Sequence, residues 1–320
     1  MKFGIIGYGS IGQRHARNLF ALGYEDIILL RNIGSGNEHD LTEFFEMEAF
    51  LNAQLDAIII ANPTSMHAEY LTRILSLNIH VLAEKPLVAT LEEWQSIHAQ
   101  IVNYNGIGMT AYNMHFHPCI RFVKKILGKK GLGKIYSARF SVGQYLPDWR
   151  QYADYSKSYS ASREMGGGVL FDLIHEIDLA CDLVGEPVGR VACQVDKVSD
   201  LQIETEDLAE LLYRTEDNSF VSIHLDYLTR GYQRYIEIIG GQGSLRADLF
   251  SNKVTVTSES GEAEEKFFSE FLRNDMYIDM LSVFIKCIEE KNSPPASLQD
   301  GLISNQISIN IRNKFYYGNA

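Results

Sequence analysis

Gly7-Tyr8-Gly9-Ser10-Ile11-Gly12 stands between a short apolar run, Lys2–Ile6, and an amphipathic stretch, Ile11–Leu22, that Gly23 ends. A G-x-G-x-x-G pattern alone is a weak signal. Here it follows a strand and opens a helix, which is the context a dinucleotide-binding turn requires. The first glycine permits the tight turn, the second lets the backbone approach a pyrophosphate, and the third allows close helix–strand packing. The pyrophosphate would sit at the positive N-terminus of the helix. Gly7, Tyr8, Gly9, Ser10, Ile11 and Gly12 are therefore the first candidate cofactor residues.

Outward from this turn, the first third of the chain alternates strands and helices. Asp26–Leu30 reads as a second strand. Leu55–Ala61 is a continuous apolar run closed by Asn62-Pro63-Thr64, as expected of a strand buried on both faces. Ala68–Leu77 is helical, Ile79–Ala83 a strand, Leu91–Asn103 helical and Ile107–Tyr112 a strand. This order predicts a Rossmann-type, doubly wound parallel sheet with right-handed crossovers over residues 1–118. At the end of the second strand an acid usually accepts from the ribose 2′-hydroxyl, whereas an arginine favours a 2′-phosphate. The sequence reads Leu29-Leu30-Arg31-Asn32, with no acid. That favours NADP over NAD, with Arg31 and Asn32 as the contacts.

The pattern changes near Pro118. Arg121–Leu127 reads as a helix and Ile135–Val142 as an alternating strand. An aromatic, polar stretch from Gln144 to Ser162 is too long for a plain connection and suits a binding surface. Gly166–Gly168 leads into a helix through Val184. Alternating segments follow at Arg190–Val195, Thr205–Tyr213, Ser219–Tyr227, Arg234–Gly240, Ser244–Phe250 and Lys253–Thr257. They predict an α+β domain over residues 119–320 with a large, mostly antiparallel open sheet. Met276–Glu290 and Leu298–Asn313 are closing helices, the last able to pack back on the first domain.

Bulk properties narrow the class. The 320 residues exceed one core, and two domains follow. With 46% hydrophobic and 22% charged residues, the chain is an ordinary globular one. A net charge of −12 disfavours nucleic acid and anionic membrane as partners. Cys119, Cys181, Cys193 and Cys287 form no CxxC pair, which points to free thiols rather than a disulfide framework or structural zinc. No apolar run is long enough for a bilayer, and the N-terminus enters a strand without a signal-peptide core. A soluble, cytoplasmic protein is expected.

Two constellations carry chemistry. Glu84-Lys85-Pro86 ends a parallel strand, and ligands of such sheets bind beyond the carboxyl ends of the strands. Lys85 would then face the crevice, where its ammonium could hold a substrate hydroxyl and stabilise a developing alkoxide; on position alone it is equally a surface lysine. From Gly166 onward, the residues Leu170, Leu173, Ile174, Ile177, Ala180 and Val184 make one apolar stripe at helical spacing. Asp172 and His175 lie three apart on the opposite face, close enough to interact. A carboxylate beside an imidazole suits a general base, and a solvated polar face is the alternative. Trp149, Arg150, Tyr159 and Arg163 offer rings and donors to a polyhydroxylated ligand, or a phosphate or carboxylate clamp. His115 and His117 make a poor metal pair, and no metal is expected.

The ordered set of G-x-G-x-x-G, Glu84-Lys85-Pro86 and GGGxLxD followed by His resembles the glucose–fructose oxidoreductase / inositol dehydrogenase (Gfo/Idh/MocA) family across essentially the whole chain. Ala61-Asn62-Pro63-Thr64 with His67, the Tyr112-Asn113 strand end, His117-Pro118 and Ser297-Leu298-Gln299-Asp300-Gly301 share in the likeness. The resemblance implies an NAD(P)-dependent dehydrogenase or reductase acting on a sugar-like carbinol or ketone, and a homodimer or homotetramer formed through the C-terminal sheet. It implies Lys85, Asp172 and His175 as catalytic residues. Asn62, Pro63, Thr64, His67, Glu84 and Lys85 would serve the cofactor, and Asn113 the substrate. The Asp172–His175 step of three departs from the step of four in many members. Tyr145–Arg150 with Tyr159-Ser160-Ala161 resembles members of surface-carbohydrate biosynthesis. Three other functions stay open: reduction of a non-sugar substrate, a hydride shuttle on a retained nicotinamide, and non-catalytic dinucleotide sensing.

Overall fold

The computed structural model describes residues 1–32, 37, 39–149 and 154–317. They form two compact units, Met1–Asn113 with Arg273–Asn305, and Met114–Leu272 with Gln306–Ala320.

The first unit is built in the order β1 (Phe3–Ile6), α1 (Ser10–Ala21), β2 (Ile27–Leu30), β3 (Thr42–Phe44), α2 (Met47–Leu51), β4 (Ala57–Ile60), α3 (His67–Ser76), β5 (His80–Ala83), α4 (Leu91–Ile101) and β6 (Gly108–Thr110). Its six strands are all parallel, in the order β3-β2-β1-β4-β5-β6. Every residue of β1, β2 and β4 is buried, the pattern of strands covered on both faces. The register aligns Ile6 with Leu30 and Ile60, and Ile60 with Ala83. The segments that follow these residues therefore leave the sheet along one edge: Gly7, Arg31, Asn62 and Glu84. Pattern reading found the long elements of this unit but not β3 and α2, which are too short and too exposed to show a period. α4 opens on a capping box. Thr90 Oγ1 accepts from Glu93 N at 3.2 Å, and Glu93 Oε2 accepts from Thr90 N at 3.0 Å.

The second unit runs α5 (Pro118–Gly128), β7 (Ile135–Gly143), α6 (Val169–Asp172), α7 (His175–Leu183), β8 (Ala192–Asp196), β9 (Leu208–Arg214), β10 (Phe220–Asp226), β11 (Gln233–Gly240), β12 (Gly243–Asp248), β13 (Lys253–Ser258) and β14 (Ala263–Phe267). Its eight strands lie in the order β14-β13-β12-β11-β7-β10-β9-β8, and β7 pairs with β10 in parallel while the other neighbours are antiparallel. β9 shows why one face is open: Ala209, Leu211 and Tyr213 are buried, while Glu210, Leu212 and Arg214 are exposed. α7 packs on β7 and β10, and α5 on β12 and β13. Two helices close the chain, α8 (Asp275–Glu290) in the first unit and α9 (Leu298–Tyr317), whose part through Asn305 belongs to the first unit.

One expectation needs correction. Residues 169–183 are not one helix, because the chain breaks at Leu173-Ile174 between α6 and α7. Nor is there a solvated polar face, since Val169–Ala180 are all buried. The four cysteines are free, and no described helix is long and apolar enough to cross a membrane.

Candidate active site

In the first unit the glycine turn is shaped by what cannot fit. Gly7 holds φ +86, and a Cβ there would lie 2.7 Å from Asn62 N. A Cβ on Gly12 would lie 2.1 Å from the Gly7 carbonyl oxygen, so α1 packs directly on the turn. Gly9 caps α1 with no side-chain hydrogen bond, and a Cβ there would meet nothing within 4 Å. Ser10 is exposed and Ile11 half-buried beside it. The turn thus presents uncapped N–H groups to open space, at the positive end of a twelve-residue helix with no acid in its first turn.

Asn62, at the end of β4, strengthens the match to a dinucleotide. Its Oδ1 and Nδ2 are buried without a hydrogen-bond partner among the described residues. Orphaned buried amide atoms are costly, and a polar ligand at this edge would satisfy them. Thr64 is buried next to it and Pro63 is exposed.

Arg31 does not stand alone at the end of β2. Its Nη1 donates to Glu43 Oε1 at 2.8 Å, and its guanidinium lies 5.5 Å from the Tyr8 ring centroid. Asn37 Nδ2 donates to the same Glu43 oxygen at 2.9 Å. Glu43 sits on β3, paired with Leu29, so the sheet supplies an acid that the β2 sequence lacks. Asn32 is exposed.

Glu84 and Lys85 follow β5 and are half-buried. His15 Nε2 and Glu84 Oε1 are 2.8 Å apart. Pro86, joined to Lys85 by a cis peptide bond, places its carbonyl oxygen 3.0 Å from His67 Nδ1. Leu87 N donates to Asn305 Oδ1 at 3.0 Å. The family resemblance implies His67 as a cofactor contact. Its ring lies between two backbone carbonyls, with Nε2 2.9 Å from Asn62 O, and burial holds it below the usual imidazole range. Asn113 is buried at the start of a 3-10 turn.

In the second unit Asp172 ends α6 and His175 begins α7, each 9% exposed. Asp172 Oδ2 accepts from Tyr227 OH at 2.6 Å. Burial, then the Asp172 carboxylate, push the Tyr227 phenol well up, which keeps it a donor. The Trp149 ring meets Tyr227 edge-on at 5.3 Å, and its Nε1 donates to Gln144 O. The polar residues of α7 also find partners. Arg234 binds Glu176 through Nε at 2.6 Å and Nη2 at 2.9 Å, and His115 Nε2 meets Asp178 Oδ2 at 2.6 Å.

The triple glycine is explained by close approaches. A Cβ on Gly167 would lie 2.2 Å from Tyr159 O, and one on Gly168 2.3 Å from Glu206 Oε1. Tyr159 OH donates to Gly166 O at 2.8 Å. Behind the turn the buried Glu206 carboxylate pairs with Arg312 Nη2 at 3.1 Å, and Arg312 also donates to Gly167 O. Arg163 is half-buried. Arg150 lies outside the described residues. Tyr227, Glu206, Arg312, Glu43 and His15 had no sequence signal as site-supporting residues, because each is defined by a partner remote in sequence. Among the described residues no cluster of His, Cys, Asp and Glu could hold a metal.

Comparison with known proteins gives this arrangement a context. The model of an oxidoreductase family with an NAD-binding Rossmann fold matches residues 1–111, and that of the GFO/IDH/MocA C-terminal domain matches residues 120–246. The chain is similar to myo-inositol 2-dehydrogenase of Thermotoga maritima, 26% identical over 94% of this chain and 92% of that protein. In fold it is similar to levoglucosan dehydrogenase in complex with NADH and levoglucosan, with a TM-score of 0.88 at 19% identity over 100% of this chain and 98% of that one. It is also similar in fold to UDP-N-acetylglucosamine 3-dehydrogenase from Acidithiobacillus ferrooxidans, with a TM-score of 0.78 at 19% identity over 98% of this chain and 96% of that one.

Proposed function

The chain belongs to the GFO/IDH/MocA oxidoreductase family, and from that premise we propose that it transfers a hydride between nicotinamide and a carbinol carbon of a sugar or inositol-like substrate. The observation that carries this reading is the edge of the first sheet, where the open glycine turn, the orphaned Asn62 amide and Lys85 follow neighbouring strand ends. The bound dinucleotide supplies the hydride acceptor; the chain's residues handle the proton and the oxygen. In the oxidative direction His175 takes the hydroxyl proton. Asp172, fixed by Tyr227, orients the imidazole and offsets the charge it gains. Lys85 stabilises the alkoxide as the carbon–hydrogen bond breaks. The first unit serves the dinucleotide, and Trp149, Tyr159, Arg163 and Arg150 of the second and Asn113 of the first are the substrate contacts.

For the cofactor we propose NAD over NADP. A 2′-phosphate at Arg31 would meet the Glu43 carboxylate already bound there, whereas a ribose hydroxyl could donate to it. For assembly we propose a homodimer or homotetramer through the open face of the second sheet, where Leu212, Phe220 and Ile239 are exposed. An Ile239→Glu variant that sediments like the unchanged protein would overturn this last point.

A spectrophotometric screen tests the function. NAD and NADP are each offered with sugars, inositols and nucleotide sugars, with Lys85→Ala and His175→Ala as controls. Turnover with a polyol that both variants lose is expected. Full activity in both variants would overturn the mechanism.

A further inference from the structure

We propose that His15 and His67 are positioning residues that bracket Lys85, one through the Glu84 carboxylate and the other through the Pro86 carbonyl. The proposal deepens the reading of Lys85 as the group that meets the substrate oxygen, and it rests on that reading.

A lysine ammonium sits at the end of four rotatable bonds, so its location is only as good as its backbone anchor. Past Ala83 that anchor weakens. The last ladder bonds are Glu84 N to Ile60 O at 2.9 Å and Ala111 N to Ala83 O at 2.8 Å. Pro86 has no N–H to give. Two contacts flank Lys85 in this tripeptide, the Glu84 carboxylate on one side and the Pro86 carbonyl on the other. Each faces a buried imidazole: His15 is 0% exposed and His67 is 1% exposed.

Both rings are tied to the dinucleotide side as well. His15 lies on α1, one turn after Gly12. His67 Nε2 is 2.9 Å from the carbonyl oxygen of Asn62, the residue whose backbone nitrogen Gly7 approaches. The His67 ring therefore lies between the Asn62 and Pro86 carbonyls; held neutral by burial, it donates its single N–H to one of them and packs the other nitrogen against the second. The ammonium is placed by the same pieces that form the glycine turn.

The two histidines use different nitrogens toward the tripeptide, which yields a crossed test. Asparagine places its amide where Nδ1 was, and glutamine where Nε2 was. His67 reaches Pro86 through Nδ1, so H67N retains the Pro86 contact and H67Q retains only the Asn62 contact. His15 reaches Glu84 through Nε2, so H15Q retains the contact and H15N loses it. The four full-length variants and the unchanged protein are compared by competitive acetylation of Lys85 with acetic anhydride, read by peptide mass spectrometry against Lys253. Dinucleotide Kd by calorimetry and kcat are measured on the same samples, with circular dichroism and Tm confirming the fold.

H67Q and H15N should change the Lys85 acetylation rate several-fold and lower kcat by about tenfold or more, as expected of a displaced catalytic group. H67N and H15Q should keep both values. H67N should instead raise the dinucleotide Kd, because it releases Asn62. If folded variants match the unchanged protein throughout, or both members of each pair fall alike, the bracket is wrong. Lys85→Met separates the two ideas: retained turnover in it would sink the role of Lys85, while the acetylation pattern would still decide the bracket.

Discussion

Tyr227 and Asp172 share a 2.6 Å hydrogen bond in the interior of the second unit, with the phenol as donor and the carboxylate as acceptor. Tyr227 lies just beyond the end of β10, is 0% exposed, and carries the Trp149 ring against its edge. Removing only the hydroxyl tests what the bond does. Tyr227→Phe should fold normally and lose about tenfold in kcat, the worth of one hydrogen bond to a charged group, with little change in dinucleotide Kd. Steady-state kinetics beside calorimetric titration would check it.

Gly12→Ala probes the turn. The added methyl would stand 2.1 Å from a backbone oxygen, which no side-chain rotation can relieve. Dinucleotide binding should weaken by at least about tenfold and Tm should fall, since 1–3 kcal/mol is typical of overpacking. Fluorescence titration and thermal melts measure both. Native-like affinity would mean the turn yields more than its geometry suggests.

Glu206 and Arg312 form a buried pair behind the triple glycine, at 3.1 Å. Taking away one charge leaves the other in the interior. Glu206→Ala should cost about 3–5 kcal/mol by urea unfolding, far above the cost of losing an exposed pair. A loss near zero would place Arg312 in solvent.

His117 predicts an acid limit to stability. Its Nδ1 accepts from Cys119 N at 3.2 Å as the cap of α5. Burial, then Arg234, push its imidazole down to about 4. An unfolded histidine titrates near 6.5. The native state thus refuses a proton that the unfolded state accepts. The stabilisation is present above pH about 6.5 and is lost as pH falls toward about 4, on the order of 3 kcal/mol in all. His117→Asn keeps a capping side chain without the titration, and its unfolding free energy should be flatter across that window.

Glu43→Gln should relax the choice of cofactor. The carboxylate that opposes a 2′-phosphate becomes an amide, while Arg31 remains. The ratio of affinities for NADP and NAD should move toward NADP by about tenfold, the scale of one charge-assisted contact. An unchanged ratio would take Glu43 out of cofactor selection.

The first unit was largely legible in the sequence. Leu55–Ala61 reads as a strand covered on both faces from its apolar run and the Asn62-Pro63 stop, and Gly7–Gly12 as a turn from the strand before it and the helix after it, because these signals are local. β3 escaped, since Thr42–Phe44 has neither length nor alternation. With it escaped Glu43, and so the expectation of NADP was drawn from Arg31 without its partner. The second sheet was legible as alternation, but its one parallel pair, β7 with β10, was not. Alternation reports which residues face the core, not which strand lies alongside.

The glycine turn, read with the strand before it, the helix after it and the alternation that follows, determined the first fold and its ligand class, because turn geometry and helix-end charge belong to adjacent residues. Lys85 stood out for the same reason, at a strand end. The partners of its neighbours Glu84 and Pro86 were decided only in three dimensions. His15 is 69 residues from Glu84 in the chain, and His67 is 19 from Pro86. Tyr227 is 55 residues from Asp172, and Arg312 is 106 from Glu206. A buried polar group must find its partner somewhere, and nothing in the local pattern says where.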